Sequence, residues 1–457
     1  MLFNSAPFIF FIIIVFGLFV IVKPYRWAVL LISSYFFYMS WKWEYAMIIF
    51  VSTIIDYFCA LKIKSSASSK NRKLFLGLSL FTNLSILFFF KYFEFFIHSI
   101  SDIFGAQQTF YATWLLPVGI SFYTFQTMSY TIDVYHGDAQ EERHFGKFAL
   151  FVIYFPQLVA GPIERAGHLI NQLKNRLQFK SENLLPAARY FIFGLFKKVV
   201  IADRVALLID PIYNHPSEHG GYLLIAATVL FAFQIYCDFS GYTDMAIGIS
   251  RLFNVELMKN FDTPYFATSV TRFWRKWHIS LSSWFKDYIY IPLGGSKVVK
   301  WRWAYNIFIT FVISGLWHGA NWTFIVWGAY HGLWLIIEKW GPKLVHTPVI
   351  RIPLTFLIVN IGWMIFRANH ISDVGLIFNQ IAFHREDTEQ IIADLTAINF
   401  SKLNLLITIY AIGILLIKDL FDSKIKSWRA VFFYLVVCFS IICFGMNESQ
   451  AFIYFQF

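Results

Sequence analysis

Charge is what this 457-residue chain has least of. Only 14% of its residues are Asp, Glu, Lys or Arg, against about a quarter in a soluble protein, while 58% are hydrophobic and mean hydropathy is +0.57. That balance excludes a water-soluble globule. Cysteine is scarce as well. Cys59, Cys237, Cys438 and Cys443 form no C-x-x-C pair, so neither a zinc site nor a disulfide framework is expected. There is no G-x-S-x-G elbow, no P-loop, no G-x-G-x-x-G and no H-E-x-x-H. These absences disfavour a serine hydrolase, an ATP-driven pump and a zinc protease. No Pro/Gly/Ser-rich linker divides the sequence, so residues 1–457 read as a single transmembrane domain.

Aromatic residues are abundant, with 54 Phe, 24 Tyr and 16 Trp, which suits interfacial belts around a polytopic protein. The net charge of +11 would suggest nucleic acid in a soluble protein. Here it reads as positive-inside bias and contact with anionic headgroups, so the expected partner is membrane lipid and not nucleic acid. Apolar runs occupy 6–22, 27–41, 45–61, 74–90 and 115–130, then interrupted stretches at 148–160, 186–209 and 222–249. Clearer runs follow at 304–316, 322–337, 353–366, 403–417 and 430–444. The first reads as a retained span, because no basic region or small-residue cleavage site accompanies it. The sum is an all-α membrane protein of about ten to twelve spans, several of them tilted or re-entrant. Lys62, Lys64, Lys70, Arg72 and Lys73 mark an inner connection, as do the basic residues between Arg272 and Arg302 and the group Lys418, Lys424, Lys426 and Arg429. The acidic stretch 369–400 fits the outer side.

Two histidines carry the chemical signal. His278 lies in Phe273-Trp274-Arg275-Lys276-Trp277-His278-Ile279-Ser280, where Trp274, Trp277, Leu281 and Trp284 recur at helical spacing on a basic segment. This pattern also fits a membrane-surface helix. His318 lies in Ser314-Gly315-Leu316-Trp317-His318-Gly319-Ala320-Asn321-Trp322, a polar turn between two apolar runs, and by the topology above it falls near the outer end of the first. A neutral imidazole there is able to take a proton from an attacking alcohol. His331 reads as a buried histidine with its hydrogen bonds satisfied. Asp56, Asp133, Asp238 and Asp244, in or beside apolar runs, read as structural hydrogen-bonding groups.

The stretches 273–295 and 314–321 resemble the membrane-bound O-acyltransferase family, closest to its bacterial branch that O-acetylates extracytoplasmic polysaccharides such as alginate or peptidoglycan. Further stretches agree: Leu116-Pro117-Val118-Gly119-Ile120-Ser121-Phe122-Tyr123, Phe155-Pro156-Gln157-Leu158-Val159-Ala160-Gly161-Pro162, Tyr236-Cys237-Asp238-Phe239-Ser240-Gly241-Tyr242 and the terminal Phe452-Ile453-Tyr454-Phe455-Gln456-Phe457. The resemblance implies a helical bundle around a central tunnel, with its signature region at 265–335, in a bacterial cytoplasmic (inner) membrane. It implies that His318 is catalytic and His278 is the second signature histidine. Arg272, Trp274, Arg275, Lys276, Trp277, Trp317 and Asn321 are then expected to contact the acyl donor. That donor is acetyl-CoA, with no tightly bound cofactor and no metal. The acyl group passes outward to a polysaccharide acceptor, often through an SGNH-type O-acetyltransferase partner. D-alanyl transfer to teichoic acid from a carrier protein is the enzyme alternative, and a non-catalytic polysaccharide or lipid transporter is the alternative from another class.

Overall fold

The computed structural model describes residues 1–105, 114–341, 347–421, 427–446 and 452–453. Residues 454–457 of the terminal aromatic run, and Lys424 and Lys426 of the expected inner loop, lie outside the described residues. Among those described there is no strand. The helices are α1 Ala6–Ile21, α2 Arg26–Met39, α3 Trp43–Ser65, α4 Ser69–Leu87, α5 Phe93–Phe104, α6 Ile120–His136, α7 Phe145–Ile153, α8 Phe155–Leu158, α9 Ala166–Asn175, α10 Leu184–Phe196, α11 Asp203–Asn214 and α12 Gly221–Leu252. Two short helices follow, α13 Val270–Trp274 and α14 Ile279–Phe285. Then come α15 Lys300–His318, α16 Trp322–Trp340, α17 Pro348–Arg367, α18 Ile371–Phe383, α19 Thr388–Ala397, α20 Lys402–Phe421 and α21 Ser427–Phe444.

Among the described residues, five helices are long and apolar enough to cross a membrane: α3, the run Ser69–Phe104, α12, α17 and α20. The pair α1 and α2, bent by 114°, makes a sixth if taken as one span. The chain is a multi-pass membrane protein. The count is below the expected ten to twelve because the interrupted runs really do break. The stretch 186–209 becomes α10, a π-helical turn at Lys197–Ala202, and α11. The stretch 148–160 becomes α7 and the four-residue α8, with Pro156 in the first turn of the latter. Both α15 and α16 have the length, but Lys300, Arg302 and Asn306 in one and His331, Glu338 and Lys339 in the other dilute their hydropathy.

The chain forms two compact units, Met1–Phe191 with Met245–Met258, and Ile192–Asp244 with Lys259–Phe457. In the first, α6 is buried over most of its surface, including Thr124, Gln126, Thr127, Ser129 and Thr131. These polar groups find partners across the helices. The fully buried Asp56 accepts from Ser79 Oγ at 2.6 Å and from Asn83 Nδ2 at 2.9 Å. Thr127 Oγ1 donates to Asn83 Oδ1, and Ser79 Oγ also reaches Thr131. Hydrogen bonding is what makes a buried carboxylate tolerable in such surroundings.

The second unit handles charge by pairing. Lys198 Nζ lies 2.8 Å from Asp203 and 2.7 Å from Asp238, and Lys197 lies 2.7 Å from Asp244. Asp238 also accepts from the Ile453 backbone N–H at 2.7 Å. The expected structural role of Asp56, Asp238 and Asp244 matches these contacts. In this unit α15 packs closely against α16. A Cβ at Gly315 would run into the carbonyl oxygen of Phe324, and a Cβ at Gly328 into that of Phe311. Each helix therefore lacks a side chain where the other's backbone passes, an approach that small residues permit in membrane helices.

Gly328→Val is expected to force α15 and α16 apart, at a cost of roughly 1–3 kcal/mol or more. Its thermal unfolding temperature in detergent should fall well below that of Gly77→Ala, since nothing lies within 4 Å of a Cβ at Gly77.

Candidate active site

The basic, tryptophan-rich segment around His278 is not one amphipathic helix. It breaks into α13 and α14, and the break is at His278, which has φ of +43° and is 1% exposed. Local hydrogen bonding explains the break. Ser269 caps α13 by accepting from the Arg272 N–H, and His278 caps α14 by accepting at Nδ1 from the Leu281 N–H at 3.3 Å. Asn260 clamps the same turn. Its carbonyl accepts from the Ile279 N–H, and its Oδ1 accepts from Ser280 N–H and Oγ–H. The surface position that the amphipathic pattern also allowed is thereby corrected. Burial pushes the His278 imidazole down to about 3, so the ring is neutral at physiological pH.

His318 is the last residue of α15 and is 4% exposed. Its ring sits against Trp317 at 5.0 Å, Trp327 at 5.0 Å and Phe366 at 5.5 Å. Gly319 then runs extended, and Asn321 caps α16 by accepting from the Thr323 N–H while donating to the Asn369 carbonyl. The fold brings the two histidines together around one indole: Trp317 lies 6.0 Å from His278 and 5.0 Å from His318.

A half-open cavity of about 730 Å³ is lined by Ile279 and Ser314, near the two histidines in the chain, while His278, Trp317 and His318 are not among its lining residues. Its wall includes Trp274 and Arg275 from the expected donor-binding set, and Ser314, which precedes His318 by one helical turn on the same face. Arg275, Lys286 and Lys339 bring three cations to it. The one carboxylate, Glu338, is already engaged, accepting from the Val270 N–H at 2.6 Å and from Thr271. The other expected contact residues have different neighbours. Arg272 donates to Thr268, Lys276 bonds Thr263 and faces Asp262, and Trp277 is packed between Phe261, Phe273 and Trp363. Lys286, Glu338 and Lys339 were not singled out by motif. They join the cavity only because α14 and the end of α16 converge there. The sequence signal available was the basic pair Arg275 and Lys286 on one segment.

His331, expected to be buried and satisfied, is fully buried, yet neither ring nitrogen has a hydrogen-bond partner among the described residues.

Comparison with known proteins matches residues 142–369, the stretch holding both histidines, to the membrane-bound O-acyltransferase family. A probable alginate O-acetylase of Pseudomonas syringae is 41% identical over 387 residues, covering 83% of this chain and 74% of the relative. The chain belongs to the membrane-bound O-acyltransferase family. It is therefore an O-acyltransferase. A peptidoglycan O-acetyltransferase of Helicobacter pylori is 37% identical over 76% of this chain and 72% of its own length. A teichoic acid D-alanyltransferase of Streptococcus thermophilus is 30% identical over 50% of the chain.

His278→Asn should fold, since asparagine tolerates positive φ and caps helices, whereas His278→Ala loses the cap and strains the turn, at about 1–2 kcal/mol. The folded ring resists protonation to about 3, while the unfolded chain protonates near pH 6.5. Stability from this group is therefore complete above about pH 6.5 and declines as pH falls toward 3. Unfolding temperatures in detergent at about pH 7.5 and pH 5.5 should separate more for the natural chain than for His278→Asn.

Proposed function

We propose that this protein takes acetyl from cytosolic acetyl-CoA and passes it across a bacterial inner membrane for O-acetylation of an extracytoplasmic polysaccharide, through an SGNH-type partner. The observation that carries this is the cavity whose wall joins three cations to the helical turn that ends in His318. CoA phosphates cannot enter hydrocarbon cheaply, and Arg275, Lys286 and Lys339 at the cavity suit them. The slender pantetheine arm runs along the wall past Trp274 toward His318, so that only the acetyl group changes sides. His318 removes the proton of the attacking hydroxyl and returns it to the departing thiolate. The names of the relatives from Pseudomonas and Helicobacter support an acetyl group and a cell-envelope polymer. The teichoic acid relatives, at 28–30% identity over about half the chain, make D-alanyl transfer from a carrier protein the second reading.

Purified protein in liposomes should transfer label from acetyl-CoA and not from D-alanyl carrier protein, and the opposite preference would overturn the reading. His318→Ala should insert normally and transfer nothing; near-normal transfer by that variant would remove His318 from the chemistry. Arg275→Ala and Lys286→Ala should each raise the donor KM about tenfold with kcat little changed, and the difference should shrink at high salt. Kinetics at two ionic strengths measure this.

A further inference from the structure

Glu338 is the one acid in a cavity wall that also holds Arg275, Lys286 and Lys339. Its own helix does not call for an acid there. It lies in the last turn of α16, where the helix carbonyls favour cations, and Lys339 follows it. The carboxylate is used on another element instead. One oxygen accepts from the Val270 N–H at 2.6 Å, and the two lie 3.3 and 3.4 Å from the Thr271 nitrogen. These are the first N–H groups of α13, which have no partner inside that helix. Ser269 accepts from the next one, at Arg272, so α13 has a local start signal without Glu338. The carboxylate adds a tie from 68 positions away in the chain. That tie bears on the cavity, because α13 ends in Trp274 and Arg275 follows as its C-cap, and both line the wall. Only about 6 Å of helix, four residues at about 1.5 Å each, separates Thr271 from Arg275. Where α16 holds the start of α13 therefore fixes the place from which the guanidinium reaches. The same carboxylate brings a negative charge to a wall of three cations.

The chemistry of the donor gives both effects a use. The phosphates of a CoA thioester do not change during acyl transfer, so a wall that grips them grips substrate and product alike. Cations with no anion beside them would lower KM and also hold free CoA in place after the acyl group has left, which slows turnover wherever release is the slow step. We propose that Glu338 is a positioning residue with two effects on a phosphate-bearing donor: its hydrogen bonds place Arg275, and its charge weakens the hold on phosphate enough for free CoA to leave. The inference rests on the donor reading above and adds how that site lets go of its product. No bond is made or broken at Glu338.

The test uses the full-length protein in detergent, with free CoA as a competitive inhibitor against acetyl-CoA. Glu338→Gln keeps an oxygen that accepts from the Val270 N–H and loses the charge. Its Ki for CoA should fall about threefold at low ionic strength, and the gain should shrink at high salt. Dephospho-CoA, which lacks the 3′-phosphate, should gain less. The kcat of Glu338→Gln should fall rather than rise, as release slows. Glu338→Ala loses the same charge and the tie as well. Its Ki for CoA should rise about fivefold above that of the natural protein, the scale of one lost hydrogen-bonded contact. Opposite shifts from Gln and Ala are what a purely structural carboxylate would not produce. If Glu338→Ala does not fold, Glu338→Asp, one methylene too short for the tie, takes its place and should also raise Ki. A Ki for Glu338→Gln equal to or above the natural value, or a shift of Gln and Ala in the same direction, overturns the inference; the donor reading stands as long as Arg275→Ala weakens CoA. Failure of CoA to inhibit the natural protein overturns both.

Discussion

The spacing between α15 and α16 depends on two missing side chains, at Gly315 and Gly328, each lying where the partner helix's carbonyl passes. Dispersion between backbones at that distance substitutes for the hydrophobic drive that lipid does not supply. The consequence reaches the site directly. His318 ends one of these helices, Trp327 and His331 lie on the other, and the short connection through Gly319 and Asn321 leaves little freedom between them. A rigid hairpin is what allows two imidazoles and several indoles to keep ring contacts of about 5 Å in a medium that offers few directional forces.

Around that hairpin the chain solves one problem repeatedly, which is how to keep polar atoms inside an apolar body. Three solutions are visible. Lys197 and Lys198 are matched by carboxylates beside a π-helical turn. His278 turns its acceptor nitrogen onto a helix N-terminus. Glu338 spends its carboxylate on the first N–H groups of α13, joining α16 to the segment that carries Trp274 and Arg275. The last of these turns the one carboxylate among the cavity's lining residues onto backbone N–H groups.

Much of this was legible in the sequence. Composition together with the length of the apolar runs pointed to an all-α membrane protein, and the surroundings of His278 and His318 set them apart before any contact was known. What the residues concealed has particular causes. Trp274, Trp277, Leu281 and Trp284 keep helical spacing, so periodicity cannot reveal that the chain turns sharply at His278; the turn is imposed by Asn260, eighteen positions earlier in the chain. Lys286 and Lys339 are far apart in sequence and look like ordinary interfacial lysines until α14 and α16 converge. His331 resembles a satisfied core histidine because burial is readable from pattern and hydrogen-bond partners are not.

The cluster of Asp56, Ser79, Asn83 and Thr127 bears on how the protein is made. Asp56 belongs to α3, while Ser79 and Asn83 belong to α4 and are synthesised later. A lone carboxylate delivered sideways into lipid would be expensive. A hairpin of the two helices carries its own hydrogen-bond partners for that carboxylate into the bilayer. Thr127 of α6 completes the set by donating to Asn83.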